Sequence, residues 1–137
     1  RFPTDRLYAK NHMWAKAASD GFQFGFTAYA DRMLQHASFL EWDIQPPAEL
    51  KQQQKIGFIE SSKAESDLFA PVGGTFTEIN NDLLADPSAI NTDKYGAGCL
   101  FAMQAGERDL LTPEQYIEHL AAVWETTQRT IKGQLNE

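Results

Sequence analysis

Glu60-Ser61-Ser62-Lys63-Ala64-Glu65-Ser66-Asp67-Leu68-Phe69-Ala70-Pro71-Val72-Gly73-Gly74 is the stretch on which the reading of this chain turns. Two short runs with strand character, Ile56 to Glu60 and Glu65 to Phe69, flank four small or polar residues that carry one lysine, Lys63. Pro71, Gly73 and Gly74 then break the pattern and close the unit. The expectation is a β-hairpin that presents a single amine at its tip. A lysine in a turn is by itself ordinary solvated surface. Here it is set among acids: Glu60, Glu65 and Asp67 are close by, and the alternation of a strand puts Glu65 and Asp67 on one face. A fixed turn with acidic flanks offers another enzyme both shape and charge to read, and Glu60, Ser61, Ser62, Ala64, Glu65, Ser66 and Asp67 form the expected recognition set around Lys63.

Upstream, Met13 to Ala17 leads into Ser19-Asp20-Gly21, a turn signal. Phe22, Phe24 and Phe26 then alternate with Gln23, Gly25 and Thr27, which predicts a strand walling the core, with Gly25 permitting a close backbone approach. Thr27 can cap a short helix near 28–35. Ala37 to Ile44 returns to strand character, Pro46-Pro47 ends it, and Lys51 to Lys55 is a polar connector. Beyond the hairpin, Thr75 to Asn80 reads as a strand with Phe76 and Glu78 on one side and Thr77 and Ile79 on the other. Asp82 to Ala85 can make a helical turn, Lys94 to Gly98 is a turn cluster, and Leu100 to Gln104 is a further strand. Short strands about 8 to 12 residues apart with Gly and Pro punctuation predict a mainly β body, sandwich or barrel, over about 7–104.

The character changes at Thr112-Pro113-Glu114-Gln115, where a capping-box signature with proline at the first helical position opens a C-terminal helix near 113–132, within an extension of about 112–132. Ile117, Leu120, Trp124 and Ile131 make one apolar stripe, expected to dock on the β body and bury Trp124, with Gly133 as the stop.

At 137 residues the chain suits one domain, 1–137. With 42% hydrophobic residues and no apolar run of membrane length, no membrane segment is expected. A net charge of −7 argues against nucleic acid and for basic clefts on protein partners. Cys99 is alone, so neither an internal disulfide nor a Cys-rich metal site is available, and His12, His36 and His119 lack metal-ligand spacing; no metal is expected. No apolar signal segment precedes the body, so the expectation is that a targeting peptide was removed or never existed. Ser61, Ser62 and Ser66 lack a nucleophile elbow, and Gly73-Gly74 precedes a strand rather than a helix, so no active site of the chain's own is expected and no catalytic residue is assigned.

The lysine segment resembles the lipoyl-attachment segment of the glycine cleavage system H protein, Glu-Ser-x-Lys-Ala-x-Ser-Asp followed by Ala-Pro-x-x-Gly. His12-Met13-Trp14 falls where that family has His-Glu-Trp, and Gly25 to Ala30 is similar to its Gly-Ile-Thr-Asp-Tyr-Ala. Glu78-Ile79-Asn80, Pro87, Ile90-Asn91 and Tyr95-Gly96-Ala97-Gly98 follow in the same order. Biotinyl domains centre their lysine in Met-Lys-Met, whereas Ser62-Lys63-Ala64 follows the lipoyl form. The resemblance implies a lipoyl/biotinyl-type flattened β-barrel of two small antiparallel sheets, carrying lipoic acid in amide linkage on Lys63 as a swinging arm. It implies a carrier subunit, not an enzyme, acting as a monomer in the cytoplasm, or in the mitochondrial matrix of a eukaryote. Its partners would be a lipoate ligase or lipoyl transferase, lipoyl-dependent enzymes and a dihydrolipoamide-type oxidoreductase.

The departures bear on the cargo. The family's glutamate of His-Glu-Trp and aspartate of Ser-Asp hold the aminomethyl group on the loaded arm, which makes His12, Met13 and Asp67 the expected contacts. Asp67 is retained, but the Met13 thioether cannot pair with an amine as a carboxylate does. Cys99 stands at a usual tryptophan, Lys94 at a proline, and Glu41 to Lys55 keeps little of the family's run. Met13 tilts the reading toward a divergent branch, the lipoate-binding proteins of heterodisulfide-reductase-like sulfur oxidation, whose dithiol carries sulfur. Glycine cleavage with an aminomethyl cargo stands beside it. The third reading is a non-lipoylated interaction module that binds through the C-terminal helix.

Overall fold

The computed structural model describes residues 2–34, 37–62 and 65–135, and the side chains of the C-terminal helix as far as Trp124. Among the described residues nine strands form two antiparallel sheets. The larger has the order β1 (Leu7–Tyr8), β2 (Met13–Ala18), β3 (Gly21–Phe26), β9 (Phe101–Gln104), β8 (Gly74–Ile79) and β5 (Ala48–Leu50). The smaller has β4 (Ala37–Trp42), β6 (Lys55–Ser61) and β7 (Glu65–Phe69). Helices α1 (Ala28–Leu34), α2 (Asp82–Ala85) and α3 (Ala89–Thr92) lie in the connections, and α4 (Pro113–Leu135) follows the body.

The alternation of β3 does what its sequence demands: Phe22, Phe24 and Phe26 enter the main core while Gln23 stays exposed. Phe24 stacks on Phe101 of the neighbouring β9, with ring centres 5.3 Å apart. Trp42 of β4 crosses from the smaller sheet to lie 5.6 Å from the rings of both Phe76 and Phe101. The two sheets thus share one interior, to which Leu40, Ile59 and Leu68 also contribute. Each fully buried aromatic of this kind is worth roughly 1.5–3 kcal/mol relative to its exposed form.

A second cluster, Tyr8, Trp14 and Tyr116, is buried separately from the main core. Met13 and Trp14 are consecutive in β2, so they serve the two clusters from opposite faces of the strand. Gly25 does permit a close approach, but by a side chain rather than by backbone: a Cβ there would come within 2.5 Å of the Trp14 indole.

Three expectations need correction. The register between β8 and β9 shifts between Phe76 and Glu78, a β-bulge that puts Thr77 out of step. Phe76 and Glu78 therefore do not share a face: Phe76 is buried, Glu78 is exposed, and Ile79 packs on the core. The apolar stripe of α4 does not dock as a whole, since Ile117 is 53% and Trp124 60% exposed. The buried anchor is Tyr116, with Leu120 packed beside it, because α4 meets the body through its first turns against β1 and then runs on. Ile131 lies outside the residues whose side chains are described. Gly133 does not stop the helix, which continues to Leu135; one glycine in a helix costs only about 1 kcal/mol. The start of α4 is as the sequence requires. Thr112 N–H donates to Gln115 Oε1 at 2.9 Å, and Gln115 N–H donates to Thr112 Oγ1 at 3.1 Å.

Candidate functional site

The strands β6 and β7 pair in the register Glu60↔Glu65, Ile59↔Ser66 and Phe58↔Asp67, and the connection between them carries Lys63 and Ala64, which lie outside the described residues. Leu68 points into the core, Ser66 is half-buried, and Glu65 and Asp67 are exposed. Lys55 Nζ lies 3.7 Å from Asp67 Oδ1 and 3.5 Å from Asp43 Oδ2. Both contacts are largely solvated and each contributes well under about 1 kcal/mol.

Beside β7 a groove of about 170 Å³ is lined by Asn11, His12, Phe26, Met33, Ser66 and Asp67 among others. It joins the loop before β2, the end of β3, α1 and the second hairpin strand. Asn11 Nδ2–H donates to the Phe69 carbonyl of β7 at 3.0 Å, and this fixes the amide. Asn11 Oδ1 is left buried with no hydrogen-bond partner among the described residues. An unmet buried acceptor costs about 1–3 kcal/mol, so a donor that enters the groove is favoured at this oxygen.

His12 adopts φ 74°, a left-handed conformation uncommon outside glycine. The turn is held by His12 N–H donating to Ala9 O at 3.0 Å and by Thr27 N–H donating to His12 O at 3.1 Å. Thr27 is wholly buried, and its Oγ1 accepts from Ala30 N–H at 3.2 Å as the helix cap while donating to His12 O at 3.1 Å. Its one proton is then used. The 3.1 Å contact with Tyr116 must therefore run from the phenol to Thr27, and the 3.0 Å contact from His12 Nδ1–H to the phenolic oxygen. Every group in this node is satisfied only if neutral His12 is the Nδ1–H tautomer with Nε2 left as an acceptor. Burial, with the nearby His119 second, pulls the His12 pKa down to about 4, so the ring is neutral at physiological pH. Burial likewise raises the Tyr116 phenol well above its ordinary value. Tyr116 is stacked on Tyr8 at 4.8 Å, and His119 of the same helix donates Nε2–H to Lys10 O at 3.2 Å.

Of the expected cargo contacts, His12 and Asp67 line the groove together. Met13 is only 2% exposed, belongs to the main core and is not part of the groove lining. Asn11 and Tyr116 were not expected at the site. Asn11 has no motif to announce it, and Tyr116 is 104 residues from His12 in sequence. The other departures have structural roles. Lys94 Nζ lies 3.6 Å from Asp31 Oδ2, and its carbonyl accepts from Trp14 Nε1–H at 2.9 Å. Cys99 is largely buried, which pushes its thiol up to about 11 and leaves it a poor nucleophile.

A family model described as glycine cleavage H-protein matches residues 6–123. The chain belongs to this family. The probable glycine cleavage system H protein 1 of Saccharolobus solfataricus is 38% identical over 123 residues, spanning 85% of this chain and 89% of its own. The glycine cleavage system H protein of Rubrobacter xylanophilus is 37% identical over 119 residues, 86% of this chain and 94% of its own. The crystal structure of the H protein from Mycobacterium marinum matches with a TM-score of 0.75 at 34% identity, over 87% of this chain and 98% of that one. The family supplies lipoyl carrier subunits rather than catalysts, and the two-sheet body with its C-terminal helix is its lipoyl-type fold. No described helix is long and apolar enough to cross a membrane.

Proposed function

We propose that the chain, as a single carrier domain over 1–137, bears lipoic acid in amide linkage on Lys63 and carries the aminomethyl group between the enzymes of glycine cleavage. The observation that carries this reading is the groove beside the lysine hairpin, where Asn11 Oδ1, without a donor among the described residues, lies next to His12 and Asp67. A loaded arm ends in an amine, and these groups accept from it: the Asn11 carbonyl, the Asp67 carboxylate and the His12 Nε2 left bare by the tautomer. Phe26 and Met33 give the arm's hydrocarbon an apolar wall. Met13 then needs no polar role, because Asn11, His12 and Asp67 supply the acceptors that its thioether lacks. Lipoate, when attached, contributes the dithiolane chemistry, and the protein contributes the handle, the groove and the docking face. A tethered arm turns a second encounter into a local one.

The partners are a lipoate ligase or lipoyl transferase, the lipoyl-dependent glycine cleavage enzymes and a dihydrolipoamide-type oxidoreductase, met in the cytoplasm by a monomeric carrier. A second reading, sulfur carriage in a heterodisulfide-reductase-like system, is favoured by Met13 alone. Supplying lipoylated protein to glycine decarboxylase with glycine separates them. Aminomethyl loading at a rate comparable to that of a known H protein is expected, and failure to load a fully lipoylated arm contradicts the glycine cleavage assignment.

A further inference from the structure

The three strands β4, β6 and β7 bury one face and leave the other to solvent. Phe39 on that outer face is 43% exposed and Phe69 is 40% exposed. Phe58 lies half-exposed between the flanking strands, its ring 6.0 Å from Phe39, and neither ring belongs to the core clusters. Cross-strand register interleaves these rings with acids: Phe39 faces Glu60, which faces Glu65, and Glu41 faces Phe58, which faces Asp67. Among the described residues Lys55 is the one cation on this face, and it lies against Asp43 and Asp67. Glu41, Glu60 and Glu65 make no ion pair among the described residues. An exposed aromatic patch framed by carboxylates is unfavourable to leave uncovered and selective in what it accepts.

We infer that this outer face, centred on Phe39, Glu41 and Phe58, is the docking surface for the enzyme that lipoylates Lys63, and that the enzyme meets it with arginine side chains. The inference rests on the carrier reading above. A guanidinium lies flat on an aromatic ring and takes a carboxylate through two parallel hydrogen bonds, which is the pairing this checkerboard offers. A second copy of the chain would bring the same carboxylates and be repelled, as would a nucleic acid or an anionic membrane. The choice of the lipoylating enzyme follows from reach. Enzymes that serve the finished arm meet it at the arm's full length, whereas the modifying enzyme must come to an unmodified lysine at the end of its short stem. That brings it onto the sheet from which the hairpin springs. Three strands about 4.8 Å apart and five to seven residues long present roughly 300 Å². This is well below the ~800 Å² per partner of a stable complex, so the encounter is transient, as modification of a carrier requires.

Steady-state lipoylation by purified lipoate ligase, with lipoate and ATP and the full chain as variable substrate, tests it. Phe39→Ala and Glu41→Lys are expected to raise KM for the carrier about fivefold or more with kcat little changed. Glu114→Lys, a charge reversal on the exposed start of α4, should leave KM within about twofold. Added salt should weaken wild type more than Glu41→Lys. Unchanged circular dichroism in the variants shows that the fold is intact. KM values within twofold of wild type for both face variants overturn the surface while leaving the carrier reading standing. Absence of lipoylation on wild-type Lys63 overturns the carrier reading and this inference with it.

Discussion

Tyr116→Phe isolates the hydroxyl that ties the C-terminal helix to the groove. Phenylalanine keeps the stack on Tyr8 at 4.8 Å and the edge contact with Phe2 at 5.1 Å, so packing is nearly conserved. What is lost is two hydrogen bonds, 3.0 Å to His12 and 3.1 Å to Thr27. Thr27 still caps α1 and still donates to His12 O, so its loss is small. His12 Nδ1–H is left as a part-buried donor without an acceptor, about 1–3 kcal/mol, and the second bond adds about 0.5–1 kcal/mol. A destabilisation of about 2–3 kcal/mol is expected, which in a domain of this size lowers Tm by roughly 6–12 °C. Circular dichroism melts at neutral pH read the stability. Nitrogen NMR of the imidazole reads the tautomer, with Nδ1 protonated in wild type and that preference lost in the variant. The wild-type ring should titrate near 4. Because the folded ring resists a proton that the unfolded ring takes at 6.5, its contribution is whole above about 6.5 and is lost as pH falls toward 4. A Tm within about 2 °C of wild type, with His12 still fixed as Nδ1–H, refutes the assignment of this node.

Further outcomes concern the body and the helix. Gly25→Ala forces a Cβ to within 2.5 Å of an indole that is 1% exposed and anchored to Lys94 O, so a loss of about 1–3 kcal/mol is expected from the urea midpoint at constant m value. Thr112→Ala removes half of the reciprocal cap of α4 and should cost about 1 kcal/mol in the same assay. Trp124→Ser, at a site 60% exposed, should leave the midpoint within about 0.5 kcal/mol of wild type; a larger loss means that the helix packs more closely than described.

Legibility tracked the range of the interactions. The β6–β7 hairpin, the phenylalanine face of β3 and the cap at Thr112 are set by residues within one or two turns of each other, and the sequence pattern displays all three. The bulge at Thr77 is not in the alternation itself. It arises from pairing with β9, where Met103 faces Phe76 and Ala102 faces Glu78. Helical spacing grouped Ile117 with Trp124 correctly as a stripe, yet burial depends on where the body ends, and the body ends near Tyr116 and Leu120. At the site, the groove position of Asp67 was readable because Asp67 belongs to a contiguous motif, whereas Lys63 of the same motif lies outside the described residues. The node of His12, Thr27 and Tyr116 was not, because it is assembled from three distant parts of the chain. Asn11 became significant only once its amide was seen fixed to β7 with its oxygen unpartnered.

The proposed carrier function stands on Lys63 bearing the arm. Intact-mass spectrometry of the full chain after co-expression with lipoate ligase, beside a Lys63→Arg control, measures it directly. One lipoyl adduct is expected on wild type, mapped to Lys63, and none on the control. An unmodified wild-type chain, or an adduct that persists in Lys63→Arg, contradicts it.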